Sequence, residues 1–409
     1  LSTLPIHWPK WKDSEIELPD SKSWRNRQYI IQGLCGQDLT EPSAHQADDA
    51  HRMYQALSSN ENIINAGSAG TAFRFLTAYF VIKAIETGTS YRLDGSAQMR
   101  KRPIGALVDA LRLLGAKIDY LGNSGFPPLN IHPAAVSGKK IHWSNRESSQ
   151  FLSALMLIAP YMNEGMDIRW SGSLPSFSYI ELTAEIMQKH GADVALGENQ
   201  ISVSPTPYDR NMHVRPQGDW SSAAFWLSAL MLRGKGAITL NGLHLGTHQG
   251  DEALIHLFKK WGLQVTDTQN GIRAVLLETD LPERIRLNLN EAPDLVPALS
   301  ALAVGLKIPG HIEGIGHLRF KESNRLEALK IELQKWGAHV EITENGMKWG
   351  AFIPPNEEII HHSYDDHRMA MAFAPLSQLQ AIKIKDPEVV AKSYPGFWED
   401  AVKLGLSIL

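Results

Sequence analysis

Residues 327–340 read EALKIELQKWGAHV, and the same pattern occurs three more times in the chain. Its counterparts are VDALRLLGAKID at 108–119, TAEIMQKHGADV at 183–194 and ALIHLFKKWGLQV at 253–265. Each copy has apolar residues three and four apart, as on one helix face, then a basic last turn, then a glycine where a helix leaves through a left-handed cap. The glycines, Gly115, Gly191, Gly262 and Gly337, follow one another at 76, 71 and 75 residues. A short alternating stretch comes after each, so KID, ADVAL, LQVTD and AHVEI are expected as strands.

Between these copies runs a second series: GTAFRFLTAYF at 70–80, SSQFLSALML at 148–157, SSAAFWLSALML at 221–232, PDLVPALSALAVG at 293–305 and DDHRMAMAFAPL at 365–376. These segments are apolar on nearly every side, as a helix enclosed on all faces must be. Each opens on a residue type that caps helix N-termini. With Thr71, Ser149, Ser222, Asp294 and Asp366 as markers, the steps are 78, 73, 72 and 72 residues. SKSWRNRQYIIQGL at 21–34 joins them through Ser23 after a shorter step of 48, so the first unit is abbreviated. Two interleaved periods in register define six helix–strand units and an α/β fold.

The units group three and three. TPYDRNMHVRPQGDW at 206–220 is poor in apolar residues and carries proline and glycine, which places a crossing near Pro216. IELPD at 16–20 reads as a strand ending at Pro19 just before the first buried helix, a second crossing. The expected domains are therefore 20–216, and 1–19 together with 217–409.

Bulk properties limit the function classes. A chain of 409 residues, 43% hydrophobic and 21% charged, is an ordinary globular protein long enough for two cores. Its formal charge of -4 argues against an extended nucleic-acid surface. One cysteine, Cys35, rules out an internal disulfide and a Cys-based zinc cage. The longest apolar run, FLSALMLIAPYM at 151–162, is far short of the ~20 residues of a membrane span. The opening residues lack a basic start followed by an apolar core, so no signal peptide is expected.

An acidic protein of this kind still binds anions if its buried helices point their N-termini one way. A helix start offers unpaired N–H groups and roughly half a positive charge. The residues at these starts are suited to anion binding: Lys22, Ser23 and Arg27; Gly70 and Thr71; Ser148, Ser149 and Gln150; Asp294; and Asp366, His367 and Arg368. FKESNRLEAL adds Lys321, Glu322 and Arg325, three and four apart as on one helix face, and AKSYPGFW adds Lys392. Alone, each of these basic runs reads as a solvated surface; together they read as a site for small polyanions.

In combination, LPDSKSWRNR, AGSAGTAFRFLTA, RKRPIGALVDALRLLGA, SSQFLSALML, PDLVPALSALA, RFKESNRLEAL, DDHRMAMAF and AKSYPGFW resemble the successive motifs of the EPSP synthase (3-phosphoshikimate 1-carboxyvinyltransferase) family, from residue 17 to about residue 400. The resemblance implies a two-domain inverse α/β barrel, three βαβαββ units per domain with buried helices, and an active site in the interdomain cleft. It implies transfer of the enolpyruvyl group of phosphoenolpyruvate to the 5-hydroxyl of shikimate 3-phosphate, with release of phosphate and without metal or organic cofactor. It further implies a cytoplasmic monomer and a glyphosate target.

Residue by residue, the resemblance implies that Ser23, Arg27, Ser148, Ser149, Ser176, Tyr179, Asp294, His317 and Lys321 hold shikimate 3-phosphate. Gly70, Gln98, Arg325, Arg368 and Lys392 are implied for phosphoenolpyruvate, with Lys22 and Gln150 touching both ligands. Asp294 is implied as the base for the 5-hydroxyl, and Glu322 with Lys22 as the acid for the methylene carbon. Two positions depart from the family. Gln98 stands where an arginine is usual, so that either Arg100 compensates or phosphate is held more weakly. His317 stands in place of a common asparagine.

The sister enzyme acting on a UDP-sugar carries a mobile acidic cysteine and lacks the Ser-Ser-Gln and Lys-Glu-Ser motifs; Cys35 instead sits inside an apolar helix. A non-catalytic anion binder of the same fold is the other alternative, against which stands the joint presence of Lys22, Asp294, Glu322, Arg325 and Arg368. GSAGTAFR lacks the GK[ST] ending of a nucleotide loop. HHSYDDHR is explained by its helix start without a metal.

Overall fold

The computed structural model describes residues 2–43, 46–138, 140–144, 149–172, 174–321, 323–353 and 358–409. The chain divides into two compact units. The C-terminal unit comprises Leu1–Ser21, Ala44–Ala47 and Gln217–Leu409; the N-terminal unit comprises Lys22–Ser43 and Asp48–Pro216. Each unit has its own apolar core.

All four glycine-terminated segments are helices followed by strands. The helices Gly105–Leu113, Ser178–Lys189, Ala253–Lys260 and Arg325–Gln334 lead into the strands Lys117–Tyr120, Val194–Gly197, Gln264–Asp267 and His339–Ile342. Gly337 takes φ +80°, and a Cβ there would fall 1.5 Å from the Ile353 carbonyl oxygen. Only glycine lets the chain turn at that point.

These helices bury one face. Ala253–Lys260, for example, buries Leu254, Ile255 and Phe258. The second series is enclosed on all sides: in Val296–Gly305 every residue from Val296 to Val304 is buried.

Among the described residues there are five four-stranded sheets, all on one plan. A first strand pairs parallel with a second, the second pairs antiparallel with a fourth, and the fourth with a third. Ile141 opposite Ile168, Ile168 opposite Ile201 and Ile201 opposite Leu196 trace this through one sheet. Parallel neighbours need a crossover, which the buried helix provides, whereas the antiparallel strands Val194–Gly197 and Gln200–Val203 close through a two-residue turn. The abbreviated first unit contributes the helices Lys22–Cys35 and Asp48–Ser58.

The chain's opening residues serve units far away in sequence. Ser14–Glu17 pairs parallel with Gly236–Asn241, Ile16 opposite Leu240. Thr3–His7 pairs antiparallel with Ile382–Lys385 and with Ser407–Ile408.

The cap assignments need correction. Asp366 does cap its helix, accepting from the Arg368 N–H at 3.0 Å. The helix Trp220–Arg233 is capped by Asp219, whose Oδ2 accepts from the Ser222 N–H at 2.9 Å, so Ser222 is the capped residue. Ala69 occupies the cap position of Gly70–Thr87 and offers no side-chain acceptor, which leaves Thr71 inside the first turn. Asp294 lies in the 3-10 turn Pro293–Leu295 ahead of Val296–Gly305, where Leu295 occupies the cap position. The Asp294 carboxylate is engaged elsewhere.

Candidate active site

In the C-terminal unit, three buried-helix starts meet. The Asp294 carboxylate lies 3.1 Å from Arg325 Nη1, 3.1 Å from Arg368 Nη2 and 3.9 Å from Lys321 Nζ. Arg325 is 1% exposed, and its Nε donates to Asp366 Oδ2 at 2.8 Å. Arg368 also donates from Nη2 to Ser221 Oγ at 3.3 Å. One carboxylate thus faces three cations from two separate chain segments.

Lys321 and Arg325 arrive there differently from what helical spacing predicts. Asn324 caps the helix Arg325–Gln334, accepting from the Glu327 N–H, and Lys321 is extended at φ -81° and ψ -156°. The two side chains meet at Asp294 across a turn. They do not share a helix face.

Two more expected residues flank this cluster. His317 is drawn down to about 4, first by burial and next by the Lys321 cation, while Asp294 pulls the other way; the imidazole is neutral at physiological pH. Lys392 Nζ is held by the Asp365 carbonyl at 2.8 Å and by Asp365 Oδ1 at 2.5 Å. Tyr364 and Asp365 both have positive φ, +55° and +56°, a strained turn that launches the helix His367–Phe373. Tyr364 is tied by its hydroxyl to Glu332 Oε1 at 2.7 Å. Glu332, 0% exposed, also accepts from Lys335 and His361. The helical periodicity of 327–340 gave no sign of this buried cluster, since glutamate usually faces water.

In the N-terminal unit, Gln150 Nε2 donates to Thr71 Oγ1 at 2.8 Å and Gln150 Oε1 accepts from Arg74. Two helix starts are thereby joined beside Gly70. Lys22 Nζ pairs with Asp49 at 3.1 Å. Arg27 is 1% exposed and uses four of its five N–H donors: Nε donates to Thr183 Oγ1 at 2.7 Å, Nη1 to the Ser23 carbonyl at 2.7 Å, and Nη2 to Ser153 Oγ at 3.2 Å and the Tyr179 carbonyl at 3.1 Å. Burial pulls its guanidinium down to about 10. Arg27 therefore acts as a girder across three helices. Ser176, 8% exposed, takes φ +58° just before Tyr179.

A family model described as EPSP synthase (3-phosphoshikimate 1-carboxyvinyltransferase) matches residues 14–401. The chain belongs to the EPSP synthase family. A 3-phosphoshikimate 1-carboxyvinyltransferase of Bacteroides fragilis is 36% identical over 407 residues, covering 98% of this chain and 97% of that one. Its counterpart from Cellvibrio japonicus is 33% identical, with 94% and 95% covered. The EPSP synthase of Acinetobacter baumannii has the same fold, with a TM-score of 0.76 at 20% identity and full coverage of both chains.

Within this EPSP synthase family member, two expected residues, Ser148 and Glu322, lie outside the described residues. Ser149 opens the helix Ser149–Ile158. Gln98 precedes the turn Met99–Lys101. Arg100, two residues on, pairs with Asp94 through Nε and Nη2 at 2.9 and 2.7 Å. Among the described residues, no group of three metal-ligating side chains is placed to hold an ion, and no helix is long and apolar enough to cross a membrane.

Proposed function

We propose that this chain transfers the enolpyruvyl group of phosphoenolpyruvate to the 5-hydroxyl of shikimate 3-phosphate, releasing phosphate, as a cytoplasmic monomer of the shikimate pathway. The observation that carries the reading is the convergence of Arg325, Arg368 and Lys321 on Asp294 in a chain of this family. Three cations against the carboxylates of Asp294 and Asp366 leave an excess of positive charge that suits a polyanion. The arginines add planar, forked donors that fit carboxylate and phosphate.

The same arrangement gives a route to activation. An anion that reaches Arg325 and Arg368 competes with Asp294 for their N–H groups. A carboxylate stripped of its cations and faced by a new negative charge binds a proton more readily. Asp294 then accepts the proton of the 5-hydroxyl as that oxygen bonds to C2 of phosphoenolpyruvate. C3 takes a proton from Glu322 or Lys22, which completes a tetrahedral ketal. In the second half, the methyl group returns its proton to the acid that gave it, the C–O bond to phosphate breaks, the leaving phosphate takes the proton held by Asp294, and the enol ether forms.

On this reading Ser23, Ser148, Ser149, Ser176, Tyr179, Lys321 and the neutral His317 hold shikimate 3-phosphate. Gly70, Gln98 and Lys392 support phosphoenolpyruvate. Lys22 and Gln150 belong to the N-terminal unit and Asp294 to the C-terminal one, so the reading needs both units on one ligand pair and closure around it. Binding of either ligand must also break the Lys22–Asp49 and Lys392–Asp365 pairs or accommodate them.

Phosphate release tests the reading. It is expected with phosphoenolpyruvate and shikimate 3-phosphate together and with neither alone. Release with phosphoenolpyruvate alone, or only with a UDP-sugar acceptor, refutes it.

A further inference from the structure

The carboxyl of Asp251 is 4% exposed and lies in the 3-10 turn Gly250–Glu252. Neither the base nor the acid of the proposed reaction involves it. Its Oδ2 accepts from Ser221 Oγ–H, and the same Ser221 Oγ accepts from Arg368 Nη2 at 3.3 Å. Arg368 continues the chain to Asp294, by Nη2 to Oδ2 at 3.1 Å and by Nη1 to the carbonyl at 3.5 Å. A buried carboxyl is thus connected through one hydroxyl to a guanidinium at the candidate site.

We infer that Asp251, acting through Ser221, is a positioning residue that aims Arg368 at the carboxylate or phosphate of phosphoenolpyruvate. Three features support the assignment. First, Ser221 has a free choice of rotor, and the Asp251 carboxyl fixes it by taking the hydroxyl proton, which directs an oxygen lone pair at Arg368. A guanidinium held this way loses less freedom on ligand binding. Secondly, the turn that carries Asp251 is itself fastened to the start of the Ser221 helix: Gln249 Oε1 accepts from the Trp220 N–H at 3.2 Å, and Gln249 Nε2 donates to the Gly218 carbonyl at 2.9 Å. The support is therefore rigid at both ends.

Thirdly, burial pushes Asp251 up to about 7, aided by Asp294 and Asp219 and opposed by Arg368 and the Ser221 hydrogen bond. A full negative charge at that depth would hold Arg368 back from a ligand. A carboxyl that shares a proton near neutrality keeps the hydrogen bond and weakens that pull. The inference rests on the reading that Arg368 holds phosphoenolpyruvate.

Steady-state kinetics of the full chain tests it with Ser221→Ala, Asp251→Ala, the double variant and Asp251→Asn, beside Arg368→Ala. Ser221→Ala and Asp251→Ala are expected to raise KM for phosphoenolpyruvate about tenfold, on the scale of one hydrogen bond. KM for shikimate 3-phosphate should stay unchanged. The double variant should be no worse than either single one, because both cut the same chain. Asp251→Asn keeps an acceptor for Ser221 and should stay within about twofold of wild type.

If Arg368→Ala raises KM for phosphoenolpyruvate but Ser221→Ala does not, the positioning role is overturned while the reading of Arg368 stands. If Arg368→Ala leaves that KM unchanged, the reading of Arg368 falls and the inference with it. Should Asp251→Ala not fold, the Ser221→Ala and Asp251→Asn results decide alone.

Discussion

Replacing Arg27 with alanine separates a structural from a ligand-binding role for this residue. The guanidinium donates four hydrogen bonds, to Thr183, Ser23, Ser153 and Tyr179. At ~1.5 kcal/mol each for a charged donor, these amount to about 6 kcal/mol. Removing the charge relieves its burial, which lowers its pKa to about 10; at ~1.4 kcal/mol per unit below the ordinary value that returns about 3 kcal/mol. Ser153 and Thr183 keep each other, at 2.8 Å, so their hydroxyls are not orphaned. The hole left beside Phe75 and Tyr179, over whose rings the guanidinium lies, adds roughly 1–2 kcal/mol.

The net loss for Arg27→Ala is therefore about 4 kcal/mol, which for a unit of this size lowers Tm by roughly 8–16 °C. Scanning calorimetry reads it directly. Arg27→Lys should recover little, because an ammonium cannot reach all four oxygens at once. A variant that melts within about 2 °C of wild type, yet binds shikimate 3-phosphate poorly, would refute the girder assignment and return Arg27 to the ligand.

Other perturbations follow from the same structure. Gly337→Ala should cost well over ~2 kcal/mol in urea unfolding, since its methyl meets the Ile353 carbonyl; Gly88→Ala, at φ +66° with nothing within 4 Å, should cost only ~1 kcal/mol, and equal losses would contradict the steric account. Glu332→Gln turns an amide toward donors from His361, Tyr364 and Lys335 and should destabilise by roughly 2–4 kcal/mol, whereas Tyr364→Phe should cost ~1 kcal/mol; hydrogen exchange across 359–373 checks both. Asp251 has a raised pKa, so its protonated form favours the folded state: its contribution is present below about pH 4 and is lost as pH rises toward 7. Asp251→Asn should accordingly gain stability relative to wild type between pH 5 and pH 8, and parallel pH–stability curves would remove the burial argument.

The parts of the fold that local chemistry determines were legible in the chain. A glycine after a periodic apolar run marks where a helix must stop, and Gly115, Gly191, Gly262 and Gly337 all turn left-handed there. Cap identity was less legible. Asp219 and Ser222 are both good capping residues, three apart, and only the extended backbone at Asp219, φ -88° and ψ 110°, decides between them. Lys321 failed for a similar reason: Asn324 starts the helix after it.

The charged cluster of the candidate site was legible where charge is concentrated in a motif, as at Asp294, Arg325 and Arg368, which the structure brings together. Contacts whose partner is distant in sequence were not legible. Nothing local in HQGDEAL tells that Asp251 reaches Ser221, and nothing in SKSWRNR tells that Arg27 closes on Thr183 and Ser153. Asp49 likewise gave no signal as the partner of Lys22. Burial of a charged side chain is a property of the assembled helices, and no window of sequence contains it.

The most direct test of the central claim is a crystal structure with shikimate 3-phosphate and an unreactive phosphoenolpyruvate mimic both bound. Lys22 and Gln150 from one unit, and Asp294, Arg325 and Arg368 from the other, are expected within hydrogen-bonding reach of the same ligand pair. Ligands held by the residues of a single unit, with Asp294 still closed on its three cations, would contradict that claim.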